Sequence, residues 1–218
     1  DLDVYDWMYE KSNYDRVRVD FAYLLINDLK SKNIQEDIVN NLYASGIVEN
    51  VSLSIDSSLL PITANMVEIL FDNGKLLFKV KDASYDGVIA DMGLVELSKF
   101  LDKQKLLKLN IQSKQAILDS RILGILSYYD INLPIRQKSG YGDGFINLDI
   151  LLPTKKLETK ATANGFFKIV DSNVDISGVE LFIKQADIYI KEDIVAIANA
   201  YTQFKDILDS KVDLVIDV

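Results

Sequence analysis

The 218-residue chain contains neither cysteine nor histidine. The first absence excludes a disulfide framework, a thiol nucleophile and a thiolate metal site. The second removes the commonest general base near neutral pH and the commonest transition-metal ligand, and with them the usual grounds for hydrolytic or zinc chemistry. No run of Lys or Arg is interleaved with aromatics, and 33 acidic against 24 basic side chains leave a net charge of −9. An acidic domain repels a phosphate backbone, so no nucleic-acid partner is expected. No apolar run reaches the ~18 to 20 residues that span a bilayer as a helix. The chain starts Asp1-Leu2-Asp3, without an initiator Met, signal peptide or basic leader, and is expected to be a piece of something longer.

What is present is apolar patterning. Hydrophobic residues make up 49% of the chain, a content that folds, in a length that suits one large or two small domains. The stretch VEILFDNGKLLFKVKDASYDGV, Val67 to Val88, returns in grammar as ADIYIKEDIVAIANAYTQFKDIL, Ala186 to Leu208. At the offset 186 − 67 = 119, Ile69 meets Ile188, Phe71 meets Ile190, Leu76 meets Val195, Phe78 meets Ile197 and Tyr85 meets Phe204. Identities are few and apolar positions coincide, so one supersecondary unit is used twice. Sub-units are accordingly expected at 1–105 and 106–218.

Period two dominates the rest. From Arg16 to Leu25, Val17, Val19, Phe21, Tyr23 and Leu25 fall on one side, as in a strand. Asp3 to Glu10, with Trp7 and Met8, suggests a helical turn. Asn33 and Glu36 ahead of Ile38, Leu42 and Tyr43 predict a capped helix stopping at Gly46. Asp72-Asn73-Gly74 supplies the positive φ angles of a tight hairpin. Leu106 to Ile111 is a further strand, and Asp119 to Tyr129 a second helix despite Gly124. The glycines of KSGYGDG, Lys138 to Gly144, predict a loop between Leu133–Arg136 and Phe145–Leu152. Strands then follow in the rhythm of an antiparallel meander: Phe166–Val170, Val179–Ile183, Asp187–Ile190, Ile194–Asn199 and Val212–Val218.

Several strands carry an apolar ladder on one face: Val51, Leu53, Ile55; Leu76, Phe78, Val80; Ile146, Leu148, Ile150, Leu152; Val179, Leu181, Ile183; Val212, Leu214, Ile216, Val218. Ser, Lys, Asp and Glu take the other face. A sheet with one greasy face covers it. Two or three short helices are too few for that, so the sheet either closes on itself as a sandwich or curls into a trough filled by a ligand.

No motif points to chemistry. GYGDG, Gly140 to Gly144, lacks the following helix and the Lys of a phosphate loop, and a hairpin loop explains it better. Asp1 with Asp3, Asp171 with Asp175 and Asp213 with Asp217 lack the loop spacing that gathers oxygens around calcium, and solvated charge on a wet face explains them. A pair of carboxylates can run glycoside hydrolysis, but nothing singles one out. A Ser nucleophile needs a base, and without His or a convincing Ser–Lys setting none is visible. No catalytic residue, metal or cofactor is expected.

The C-terminal segment ATANGFFKIVDSNVDISGVELFIKQADIYIKEDIVAIANAYTQFKDILDSKVDLVIDV resembles the AsmA-like family, in particular its large YhdP-type and TamB-type envelope proteins. The shared grammar is a Gly-led strand at Gly165-Phe166-Phe167, a strand over Val174 to Ile176, a hairpin, and Phe204 before Ile207-Leu208. LPIRQKSGYGDGFINLDILLP is similar to the segment that leads into this unit, and DLDVYDWMY with LYASGIVENVSLSID to epsilonproteobacterial members. The resemblance implies a mainly β fold in which an antiparallel sheet of repeated strands curls into an elongated groove, a half-pipe, with two or three short helices. It implies a periplasmic part of an inner-membrane-anchored protein of a Gram-negative bacterium that carries phospholipids toward the outer membrane. The partners implied are phospholipid or fatty acyl chains and neighbouring strands of the same full-length chain. The apolar ladders would line the groove. A closed, non-catalytic surface module and a carboxylate-based carbohydrate-active enzyme stand as the alternatives.

Overall fold

The computed structural model describes residues 12–26, 33–54, 59–128, 131–152, 160–192, 194–204 and 208–217. Strands dominate, as the period-two patterning predicts: β1 (Ser12–Asn13), β2 (Arg16–Leu24), β3 (Leu42–Leu53), β4 (Ile62–Asp72), β5 (Lys75–Tyr85), β6 (Val88–Ser98), β7 (Leu106–Ala116), β8 (Ile135–Leu151), β9 (Lys160–Ile176), β10 (Val179–Lys191), β11 (Ile194–Phe204) and β12 (Leu208–Asp217). Two helices accompany them among the described residues, α1 (Ile34–Asn41) and α2 (Ser120–Tyr128). The strands form one open antiparallel sheet in the order β1-β3-β4-β5-β6-β7-β8-β9-β10-β11-β12, with β2 also paired to β3. Chain neighbours are thus sheet neighbours almost throughout, the economical connectivity for short turns. Two compact units divide the chain: Asp1–Asp86 with Met92–Leu109 and Asp149–Lys160, and Gly87–Asp91 with Asn110–Leu148 and Ala161–Val218. The helical turn expected at Asp3 to Glu10 lies outside the described residues.

In the first unit the hairpin at Asn73-Gly74 forms as expected, with φ of 47° and 70° at its two central residues. It pairs Phe71 with Leu76, Ile69 with Phe78 and Val67 with Val80. On the other side of β4, the same residues meet Ala44, Gly46 and Val48 of β3. Opposite residues share a face, so an apolar surface is built across three strands.

Two expectations are corrected in this unit. The helix ends at Asn41, and Asn33 stands at its N-cap position without a side-chain capping bond. Leu42, Tyr43 and Gly46 belong to β3. Glycine at 46 serves strand contact rather than helix termination, because a Cβ there would strike the Arg18 carbonyl of β2. The second correction concerns the ladder from Val17 to Leu25, which is broken by a register shift between Val19 and Phe21. Val17 and Val19 pair with Val48 and Gly46, whereas Phe21 and Tyr23 pair with Ser45 and Tyr43 on the opposite face.

In the second unit KSGYGDG is no loop: β8 runs through it. The glycines admit the neighbouring backbone. A Cβ on Gly142 would sit 2.6 Å from the Lys168 carbonyl oxygen of β9, and Gly140 takes a φ of 91°. The strands expected at Val179–Ile183 and Asp187–Ile190 are one strand, β10, and β7 extends past Ile111 to Ala116. Helix α2 is tied down locally. The Asp119 carboxylate accepts the Arg121 N–H at 2.9 Å and the Arg121 Nε–H at 2.8 Å, and Leu126 is buried. Ahead of the helix, Leu118 exchanges two hydrogen bonds with Gln137, its N–H donating to Oε1 (3.1 Å) and its carbonyl accepting from the Gln137 N–H (2.8 Å). The Gln137 amide then donates to Ser172 Oγ (3.0 Å), whose hydroxyl donates to the Val170 carbonyl (2.8 Å). Gln137 and Ser172 are buried, and this satisfied chain is what permits it.

The repeated unit is visible as structure. Adding 119 to Lys75–Tyr85 gives 194–204, the bounds of β11, and 72 + 119 = 191 is the last residue of β10.

Candidate functional site

A plain strand turns alternate residues to opposite faces, so a ladder of one chemistry has a fixed parity. In five strands the inward parity changes midway at a residue in the left-handed region: Asn50 (φ 52°), Asp82 (53°), Gly140 (91°), Asp171 (44°) and Asn199 (51°); β4 and β10, which pair with β3 and β9, change parity opposite these residues without a left-handed residue of their own. Asn, Asp and Gly are the residues that tolerate this backbone. In β9, Phe167 and Ile169 are buried before Asp171, and Ser172 and Val174 after it. In β11, Val195 and Ile197 give way to Ala200 and Thr202 across Asn199. In β8, Ile146, Leu148 and Ile150 lie on one side of Gly140, and Ile135 and Gln137 on the other. In β5, the partly covered Leu76, Phe78 and Val80 precede Asp82 and buried Ala83 follows it.

The slips are matched between neighbours. The pairing of β9 with β10 runs Ile183 to Ser172 and then Gln185 to Val170, omitting Asp171 and Lys184 and keeping one register on both sides. The pairing of β3 with β4 likewise omits Asn50. The slip of β11 is matched by β10 but not by β12, which stays regular: Ile197 faces Leu214, and Ala200 faces Val212. Each slip inserts a bend while keeping one face turned inward along the strand, a face that is apolar except at Gln137, Ser172 and Thr202.

The residues expected to line a groove fall on this face in three grades. Ile146, Leu148, Ile150 and Ile183 are buried, Ile150 and Ile183 completely. Val51, Leu53, Leu76, Phe78, Val80, Leu181, Val212 and Ile216 are partly covered. Val179 and Leu214 are exposed, and Ile55 lies outside the described residues. Leu53 is joined through Ile62 to Tyr85, and Val80 through Val67 to Val48. Ile216 pairs with Val195, which pairs with Ile190, and Leu214 is joined through Ile197 to Ile188. Ladders taken at strict steps of two missed Val48, Val67, Ile69, Phe71, Phe167, Ile169, Ile188 and Ile190. The 119-residue repeat already marked Ile69, Phe71, Ile188 and Ile190 as patterned, and an Asn or Asp at a phase change marks where parity turns.

The opposite face of the first unit is not uniformly wet. Glu68 and Lys79 approach to 3.8 Å there, yet Leu70 pairs with Leu77, and Met66, Met92 and Leu94 are exposed. Ile47, Leu70, Leu77 and Leu94 floor a depression of about 450 Å³ edged by Asp20, Glu68 and Lys79.

Chemistry is sparse on either face. Among the described residues no Asp or Glu is buried, and no group of three or more metal-ligating side chains is gathered. The Asp119 carboxylate has a structural role at the start of α2. Its partial burial raises the pKa, but hydrogen bonds from the Arg121 side chain and backbone, the Arg121 charge and the Ile122 N–H outweigh burial and hold the group below its ordinary value. No helix among the described residues is long and apolar enough to cross a membrane. The sequence matches no protein-family model, and neither a curated protein nor a solved structure is similar to the chain.

Proposed function

We propose that this chain is a lipid-binding segment of an envelope protein similar to the AsmA-like family, whose sheet curls into a groove that conducts phospholipids between inner and outer membranes. The observation that carries the reading is the mainly apolar inward face maintained across the mid-strand slips. A closed core needs apolar residues, but a lipid path needs them to run the length of the strands, and the residue pattern follows each slip so that the inward face stays mainly apolar on both sides of it. Taking a two-chain lipid with about 30 methylenes through water costs on the order of 25 kcal/mol at ~0.8 kcal/mol per CH₂. A continuous apolar track removes most of that barrier without any catalytic group. The bends introduced by the slips favour curling over flatness, and α1, which buries none of its residues, contributes little cover.

A closed, non-catalytic module is the second reading, favoured by the complete burial of Ile150, Ile183 and Val195. These side chains meet an acyl chain only if whatever covers them moves. The two readings separate on lipid extraction and native mass spectrometry of the purified chain. Co-purifying phospholipid, displaced by fluorescent acyl probes, is the expected result. A lipid-free protein that binds no acyl probe overturns the groove.

A further inference from the structure

In the second unit, the face turned away from the apolar ladders carries aromatic rings in rows. A Cβ on Gly142 would lie 3.3 Å from the Ile169 Cα, one on Gly144 2.8 Å from the Phe167 Cα, and one on Gly165 3.5 Å from the Ile146 Cα. These approaches fix the register of β8 on β9, with Phe145 opposite Phe166 and Tyr141 opposite Val170. Carried into β10 and β11, that register makes one row of Phe145, Phe166 and Tyr189, and a second of Tyr141, Val170, Gln185 and Tyr201. Each of these residues alternates with buried ones, so both rows face outward. Tyr189 is 44% exposed, Tyr201 47% and Tyr141 55%. Four residues of strand separate the rows, about 13 Å at roughly 3.3 Å per residue. In β8, β9 and β10 this interval stops short of the slips at Gly140, Asp171 and Lys184, so the pairing under it is regular.

Polar side chains stand between and beside the rings. Asp143, Lys168 and Asp187 separate the two rows, with Lys168 and Asp187 directly paired. Asn199 Nδ2 donates to Asp187 Oδ2 at 3.0 Å, and Asn110 donates to Asn147 on the far side of the first row. Cross-strand stacking accounts for Phe166 and Tyr189, whose ring centroids lie 5.1 Å apart. It does not account for Tyr141 and Tyr201, at opposite ends of their row. In and around the rows three lysines (168, 191, 211) balance three aspartates (143, 187, 213), a locally neutral surface on a chain of net charge −9. Neutrality favours an uncharged partner over a polycation or a polyanion.

We propose that this face is a non-catalytic glycan-binding platform, on which an uncharged, extended, equatorially linked polysaccharide lies along the strands. A pyranose offers C–H faces to the electron-rich faces of aromatic rings. Its rim of hydroxyls, each both donor and acceptor, requires carboxylate, amide and ammonium partners. Alternation of an aromatic row, a polar row and a second aromatic row meets both demands. The inference concerns the face opposite the apolar ladders and does not rest on the lipid reading.

Calorimetric titration of the whole chain with cellohexaose and chitohexaose tests it. At least one should bind, with an affinity indifferent to added salt because the ligand is uncharged. Tyr141→Ala, at an exposed position that leaves the circular dichroism unchanged, should weaken binding roughly tenfold. Tyr189→Phe keeps the ring and should keep the affinity. Tyr43→Ala, which removes an exposed ring of the first unit, should not alter it. Absence of binding to both sugars at millimolar concentration overturns the proposal, as does binding that survives Tyr141→Ala. Uncharged phosphatidylcholine vesicles that retain the parent chain but not Tyr141→Ala would also overturn it, and make the face a membrane surface.

Discussion

The hairpins β4–β5 and β10–β11 share turn position, strand ends and inward apolar positions, yet they differ in cover. Ile188, Ile190, Val195 and Ile197 are buried, while their counterparts Ile69, Phe71, Leu76 and Phe78 are only partly so. One local code therefore makes the same hairpin twice, and what lies over it sets its energetic weight. Burying an aliphatic side chain fully is worth about 1.5–3 kcal/mol, so the second hairpin carries more of the chain's stability and the first retains more apolar surface for another molecule.

The sharpest way to break the comparison is to place a charge in each hairpin. Val195→Asp buries an unpaired carboxylate and should cost more than about 4 kcal/mol, seen as loss of the folded state by circular dichroism. Phe78→Asp, at the equivalent of Ile197, should leave the chain folded with a lower Tm and abolish acyl-probe binding. Equal unfolding by both would erase the distinction. A milder pair uses the same residue at equivalent positions: Ile188→Ala should cost about 2–5 kcal/mol in denaturant titration, and Ile69→Ala about half as much, since part of its surface already meets solvent.

The slips offer a third comparison, within one residue. Asp171→Val forces a β-branched side chain into the left-handed region and should cost about 1–2 kcal/mol. Asp171→Gly should cost less than about 1 kcal/mol, because glycine adopts that backbone freely. The smallest expected effect is at helix α2. Asp119→Ala removes a cap and the partner of Arg121, for about 1 kcal/mol. The folded-state pKa of Asp119 lies below its unfolded value near ~4. Its contribution is therefore present above pH ~4 and fades as the pH falls through the lower, folded-state value. The stability gap between the parent chain and Asp119→Ala should narrow on acidification, and a gap constant down to pH ~2 would contradict this.

Much of the fold was legible because period two and turn chemistry are local. Asn73-Gly74, the strand succession, α2 and the twofold use of the hairpin all follow from neighbouring residues. What stayed hidden depends on strands distant in sequence. KSGYGDG has loop composition, and only β9 lying against it explains three glycines inside a strand. Gly46 has the look of a helix stop until β2 supplies the carbonyl it accommodates. The apolar face was half legible: its residues were named wherever steps of two ran on, and lost wherever Asp171 or Asn199 changed the parity. Cover was not legible at all, since Ile183 and Leu181 are alike in pattern and only the folded chain buries one completely.

The matched slip of β9 and β10 also bears on how such a chain changes length. Removing Asp171 alone would shear every pairing on one side of it, but removing Asp171 together with Lys184 shortens both partners equally and restores simple alternation with the greasy side unchanged. A change of length at this place therefore has to be matched strand by strand, in β8 and β11 as well as in β9 and β10, for the inner chemistry to be kept.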